Sequence, residues 1–141
     1  MKKEIKIGHI TISDKTPAFI IAELSCNHGN DIEIAKKTIR AMKDSGADCV
    51  KVQTYRADTM TLNSRDELFM IDNNLIWDGM NLYDLYEKAT MPWEWTRELK
   101  ELTEELGMVF FSSPFDLTAV EFLEELDMPA YKIASFEIND I

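Results

Sequence analysis

Cysteine and histidine are scarce in this chain, two of each in 141 residues, and that scarcity narrows its chemistry. Cys26 and Cys49 stand far apart, with no Cys-x-x-Cys pair and no His-rich tract beside them. Neither a disulfide framework nor a zinc knuckle is indicated, and a reduced, cytoplasmic setting is expected. Positive charge is also short: 15 Lys and Arg against 26 Asp and Glu leave a formal charge of -11. Nucleic acid and anionic lipid both need clustered cations, so no nucleic acid and no membrane is expected as a partner. The acids gather on stretches such as residues 98–105, which read as solvated helix faces. No apolar run approaches the roughly 18 residues of a membrane span. The basic start Met1-Lys2-Lys3-Glu4 leads into no run of signal-peptide length.

What is present is an ordinary globular share of hydrophobic residues, 45%, enough for the core of one domain. Ile5 and Ile7, then Ile10 and Ile12, alternate around Gly8-His9, the pattern of a short hairpin, with Asp14-Lys15-Thr16-Pro17 as its exit turn. Ala18-Phe19-Ile20-Ile21-Ala22 is continuous, as expected of a parallel strand covered on both faces. Asp31 can cap a helix with Ile32, Ala35, Ile39 and Met42 in one stripe, ended by Gly46. A second strand spans 49–53. Residues 56–80, with Asn73 and Asn74 among them, lack a clean period but are too apolar for disorder, so they are expected to fold over a site. Helices follow over 81–89, with Leu82, Leu85, Tyr86 and Ala89 inward, and from Pro92 to the stop at Gly107. A third strand over 108–111, a helix over 117–126 and a fourth strand over 130–133 complete the order. Alternation of strand and helix predicts a parallel sheet.

Every apolar run ends in groups that ionise or hydrogen-bond. Phe19-Ile20-Ile21-Ala22 runs into Glu23, Cys49-Val50 into Lys51 and Gln53, and Val109-Phe110-Phe111 into Ser112 and Ser113. The fourth, Ala130-Tyr131-Lys132-Ile133-Ala134-Ser135-Phe136-Glu137, packs a lysine, a serine and a glutamate into six residues. Taken alone, that stretch also reads as an edge strand with a solvated Lys132 and a helix-capping Glu137. Four such ends together point to one pocket at the C-terminal ends of parallel strands. Lys51 and Gln53 share one face of their strand while the valines pack opposite. A buried ammonium there needs a counter-charge, such as a bound phosphate or carboxylate; the alternative is an exposed edge strand. Asn27 and His28 sit in a small polar loop, either facing a ligand or bonding the loop to itself. A closed eight-stranded barrel takes roughly 250 residues, so the chain corresponds to half of one, with unpaired edges prone to associate, or else to a small open sheet.

The motifs Phe19-Ile20-Ile21-Ala22-Glu23-Leu24-Ser25 with Asn27-His28, Val50-Lys51-Val52-Gln53-Thr54-Tyr55, Phe111-Ser112-Ser113-Pro114-Phe115-Asp116 and Tyr131 to Glu137 resemble the first half of the sialic acid synthase family. Thr61-Leu62-Asn63-Ser64, Leu75-Ile76-Trp77-Asp78 and Leu82-Tyr83-Asp84-Leu85-Tyr86-Glu87 most resemble its pseudaminic acid branch. The resemblance implies an α/β fold, a (β/α)8 TIM barrel of which this chain holds the first four β/α units, with the hairpin over 1–17 and the half-barrel over 18–141. It implies a small antifreeze-like domain beyond and a homodimer when full length. The implied reaction condenses phosphoenolpyruvate with an acetamido sugar aldehyde, using a divalent metal (Mn or Mg), and releases phosphate.

By position, Lys51, Ser113, Lys132 and Ser135 correspond to phosphoenolpyruvate ligands. Glu23 would be the base or water-orienting group. Gln53 and Glu137 would hold the sugar, and Asn27 and His28 would line the mouth. The family usually has Asn-His-Asn-Gly where this chain has Asn27-His28-Gly29-Asn30, so a side-chain role at position 29 is lost. The family's metal-binding histidines fall outside this chain, which alone is expected to lack a metal site and turnover. Trp77 or Phe69 could offer apolar contacts to a deoxy sugar. The alternatives are an N-acetylneuraminate or legionaminic acid synthase and, from another class, a noncatalytic phosphate-binding module.

Overall fold

The computed structural model of the chain describes residues 4–72, 76–135 and 137–139, and in it the alternating isoleucines form the expected hairpin. Strand β1 (Glu4–Ile7) pairs antiparallel with β2 (Ile10–Ser13), Ile7 opposite Ile10. Gly8 turns the chain at a φ of 57°, and a Cβ added there would stand 3.3 Å from a Val109 methyl. The turn thus needs glycine twice over, for its left-handed backbone and for its close approach to the sheet. Ile7 and Ile10 pack with Phe19 and Ala130 against Cys49, Val109 and Phe111, closing the end at which the main strands begin.

The main sheet holds β3 (Ile21–Glu23), β4 (Cys49–Thr54) and β5 (Val109–Pro114), all parallel, with β4 central. Helices α1 (Ile32–Asp44), α2 (Ala57–Met60), α3 (Leu82–Ala89), α4 (Trp95–Glu105) and α5 (Leu117–Glu124) fill the connections. Asp31 caps α1 as expected, accepting from the Glu33 amide at 2.8 Å. Side chains alternate in register. Glu23, Lys51 and Phe111 lie level on one face, and Gln53 and Ser113 lie level one step later. The other face presents Val50, Val52 and Phe110 to Ala35, Ile39, Leu99 and Leu123, all fully buried or nearly so. Each large apolar side chain buried there contributes about 1.5–3 kcal/mol. Thr54 and Ser112 also point into this layer, where their hydroxyls pair at 2.7 Å and Ser112 donates to the Val52 carbonyl at 3.3 Å.

Four expectations are corrected. The first parallel strand begins at Ile21 instead of residue 18, because the Asp48 carboxylate takes the Ile20 amide at 2.8 Å and the Ile20 carbonyl accepts from Asp48 and Cys49. It is also not covered on both faces: Ile20 and Ile21 are 50% and 44% exposed at the edge of the described sheet. The fourth strand reduces to a single parallel bridge of Tyr131 to Ser112, with the Lys132 amide on the Ser112 carbonyl at 3.1 Å. Pro129 has no amide to give, and the chain turns again at Ala134, whose carbonyl accepts from Glu137. Pro92 opens a turn closed by Trp95 N on Pro92 O, and α4 starts only after it.

Of the segment after β4, α2 and a short turn at Glu67–Phe69 precede a bridge of Met70 to Asn81. Buried Asn81 ties the segment: its amide donates to the Ser64 and Phe69 carbonyls, and its oxygen caps α3 on the Tyr83 amide at 2.9 Å. Arg65 forks onto Asp84 at 2.6 and 3.1 Å. Asn73, Asn74 and Leu75 lie outside the described residues. No described helix is long and apolar enough to cross a membrane.

Candidate active site

The ends of β3, β4 and β5 and the segment behind Tyr131 converge on one cavity of about 350 Å3. Glu23, Lys51, Gln53, Ser113, Lys132 and Ser135, all singled out in the sequence, line it together. The period of two explains why: Lys51 and Gln53 leave β4 on the same side, and Ser113 leaves β5 level with Gln53. Lys51 is 8% exposed, on the central strand, which removes the edge-strand alternative. Its ammonium finds its counter-charge on the neighbouring strand, Nζ standing 2.8 Å from Glu23 Oε1. Gln53 Oε1 accepts from the Ser25 hydroxyl at 3.4 Å. Ser113 is buried, whereas Lys132 and Ser135 are exposed at the rim.

Five lining residues escaped the sequence argument: Tyr55, Met60, Tyr86, Phe115 and Ala134. Two could have been found by continuing the period, since Tyr55 follows Lys51 and Gln53 by twos and Phe115 follows Ser113. Tyr86, read only as an inward helix position, comes from α3, and no spacing rule brings it to the strand ends. Tyr55 stands edge-on to Tyr86, centroids 5.9 Å apart, and to Phe115 at 5.7 Å. Burial, with lesser help from Cys26 and Tyr86, pushes the Tyr55 phenol up to about 12, so it stays neutral. The Tyr55 carbonyl is held by Thr90 Oγ1 at 2.9 Å and Trp93 Nε1 at 3.0 Å.

Asn27, His28 and Glu137 are not among the residues that line the cavity. Asn27 is exposed, and its side chain donates to the Leu24 carbonyl, which is the loop-bonding alternative. His28 is 1% exposed, edge-on to Trp95 at 5.6 Å, with Nδ1 accepting from the Asn30 amide at 3.0 Å. Burial lowers its pKa, the Ala89 backbone opposing less strongly. Glu137 opens a short turn, Glu137–Asn139. Ser112 faces the helices. Trp77 and Phe69 do not line the cavity either; the aromatic contacts come from Tyr55, Tyr86 and Phe115.

Chemically, two ammonium groups and two hydroxyls around one cavity suit a multiply charged anion. A carboxylate beside them can orient water or take a proton. Among the described residues no three His, Cys, Asp or Glu are placed to hold a metal ion. Among the described residues the one acid lining the cavity, Glu23, is engaged with Lys51. The cavity therefore offers, among the described residues, no donor set for the divalent metal, whose histidine ligands the resemblance places outside this chain.

The NeuB family profile matches residues 38–141, a stretch that contains Lys51, Gln53, Ser113, Lys132 and Ser135. A pseudaminic acid synthase of Helicobacter pylori is 54% identical over 125 residues, covering 89% of this chain and 36% of that protein. The N,N'-diacetyllegionaminic acid synthase of Legionella pneumophila is 37% identical over 123 residues, covering 87% and 34%. Among solved structures, the N-acetylneuraminic acid synthetase of Leptospira borgpetersenii, crystallised with citrate, superposes with a TM-score of 0.80 at 28% identity, covering 97% of this chain and 43% of that one. The chain thus spans less than half the length of each relative. With the profile running over most of its residues and the cavity's cations and hydroxyls inside the matched stretch, the chain belongs to the NeuB family.

Proposed function

We propose that this chain is part of a phosphoenolpyruvate-dependent sugar acid synthase whose product is pseudaminic acid. The observation that carries it is the meeting of Lys51, Lys132, Ser113 and Ser135 around one cavity, with Glu23 at 2.8 Å from Lys51. The two lysines and two serines neutralise and orient the trianion. The double bond between carbons 2 and 3 of phosphoenolpyruvate opens as carbon 3 forms the new carbon-carbon bond to the aldehyde carbon of an acetamido sugar. Carbon 2 is left cationic, and the aldehyde oxygen takes up a proton from solvent. Water adds at carbon 2, giving one proton to Glu23. The carbon-oxygen bond to phosphate then breaks as the new carbon 2 hydroxyl passes its proton to the departing phosphate, leaving a 2-keto acid and inorganic phosphate. Gln53 binds the sugar's hydroxyl and acetamido groups from one layer above Lys51. The divalent metal that the resemblance implies would be held by residues outside this chain, and no step is routed through it. What the described side chains contribute is anion binding, sugar binding and the proton transfer to Glu23.

The higher identity to a pseudaminic than to a legionaminic acid synthase favours the pseudaminic sugar. The proposal carries with it closure of the parallel sheet into a (β/α)8 barrel, a homodimer and a cytoplasmic location for the whole protein, and no turnover for the 141 residues alone. The test is phosphate release by the full-length protein, given phosphoenolpyruvate and manganese with either the diacetamido trideoxy-altrose or N-acetylmannosamine. Release with the altrose sugar only, abolished in Lys132→Ala, is expected. Release with N-acetylmannosamine alone moves the protein to the neuraminate branch. Release with neither sinks the enzymatic proposal.

A further inference from the structure

The cavity is layered along its strands. Glu23 and Lys51 share one level, Gln53 and Ser113 the next, and two residues on from these come Tyr55 and Phe115. An anion seated on the lysine level leaves its reaction partner to enter above it, against this aromatic step. We infer that Tyr86, set into the step beside Tyr55, determines acceptor specificity by receiving the methyl-bearing edge of the sugar.

Tyr55 is 6% exposed, its carbonyl held by two hydrogen bonds and its ring edge-on to both neighbours, so it acts as the fixed support of the step. Tyr86 is the partly exposed member that comes from a helix. That helix is anchored from outside the cavity, by the Asn81 cap and by the Arg65 fork on Asp84. A rigid apolar ring beside a polar floor suits a ligand whose hydroxyls face down and whose methyl groups face the ring. A hydroxymethyl laid against the ring face would give up water without gaining a partner from that face. The ring therefore selects an acetamido sugar deoxygenated at its terminal carbon over one that keeps that hydroxyl.

This rests on the proposed synthase function, and the experiment separates the two. The full-length protein, Tyr86→Ala and Tyr86→Phe are assayed for phosphate release with the diacetamido trideoxy-altrose and with N-acetylmannosamine, and phosphoenolpyruvate binding is titrated without sugar. For Tyr86→Ala, KM for the altrose sugar is expected to rise by about tenfold or more, the scale set by losing one apolar pocket contact. Its preference over N-acetylmannosamine should shrink by a similar factor, while phosphoenolpyruvate affinity stays within about twofold and Tyr86→Phe behaves as the parent. Should Tyr86→Ala not fold, Tyr86→Leu is read in the same way. An unchanged sugar preference in a protein that does release phosphate overturns the inference and leaves the synthase function standing. Equal loss of phosphoenolpyruvate binding, or a Tyr86→Phe as impaired as Tyr86→Ala, overturns it too. No release by the parent with either sugar overturns both.

Discussion

Replacing Glu23 by glutamine should separate binding from turnover, and the two should move in opposite directions. The Lys51 ammonium is mostly buried, its side chain 11% exposed, and its contact to Glu23 at 2.8 Å holds it before any substrate arrives. An incoming anion must share that ammonium with a carboxylate that also repels it. The Glu23 side chain is 46% exposed, so solvent screens the pair and the full buried-pair value does not apply. Between the exposed and buried limits the competition is worth about 1–2 kcal/mol. Glu23→Gln keeps the shape, removes the charge and should tighten phosphoenolpyruvate by about fivefold to thirtyfold. If Glu23 handles the proton of the attacking water, kcat should fall by about 10² to 10⁴. Calorimetric titration of phosphoenolpyruvate and phosphate release on the full-length protein measure the two quantities. Weaker phosphoenolpyruvate binding in Glu23→Gln would refute the competition, and an unaltered kcat would refute the proton role.

Two further outcomes concern the scaffold. Ser112→Ala strands the fully buried Thr54 hydroxyl and should cost about 1–3 kcal/mol in urea unfolding, with Thr54→Val added on top recovering part of the loss. His28 should make stability fall in acid: its folded pKa lies below its ordinary 6.5, so the unfolded chain binds the extra proton first. Stability is then full above 6.5 and declines as the pH drops from there toward the folded value. Melting temperatures across that window should slope in the parent and flatten in His28→Gln.

How much of this was legible in the residues differs by element. The hairpin was, because a period of two on either side of Gly8-His9 has one low-energy solution. Lys51, Gln53 and Ser113 were as well, since a strand's alternation fixes which side chains share a face before any partner is known. The start of β3 was not: Ile20 carries the right side chain for a strand, but its amide is claimed by Asp48, 28 residues on. For His28 the residues left two readings open, a ligand contact or a bond within the loop, because polar loops near strand ends serve both. The Asn30 amide on Nδ1 and the ring of Trp95 beside it are contacts that spacing does not show. Tyr86 reaches the cavity through the Asn81 and Arg65 contacts of a segment without periodicity, and such contacts leave no mark on spacing.

The hairpin's docking sets an order in time. Its own pairing spans ten residues, Glu4 to Ser13, and a two-stranded ribbon of that size closes in about 1–10 μs. Its anchorage, by contrast, waits on Val109 and Ala130, a hundred residues downstream. Until β5 has joined β4 the ribbon has only Phe19 and Cys49 to sit on, and alone it is at best marginally stable in water. Slowing of amide exchange at Ile7 and Ile10 therefore dates the moment when the parallel sheet is assembled, making the most local element of the chain a clock for its most distant contacts.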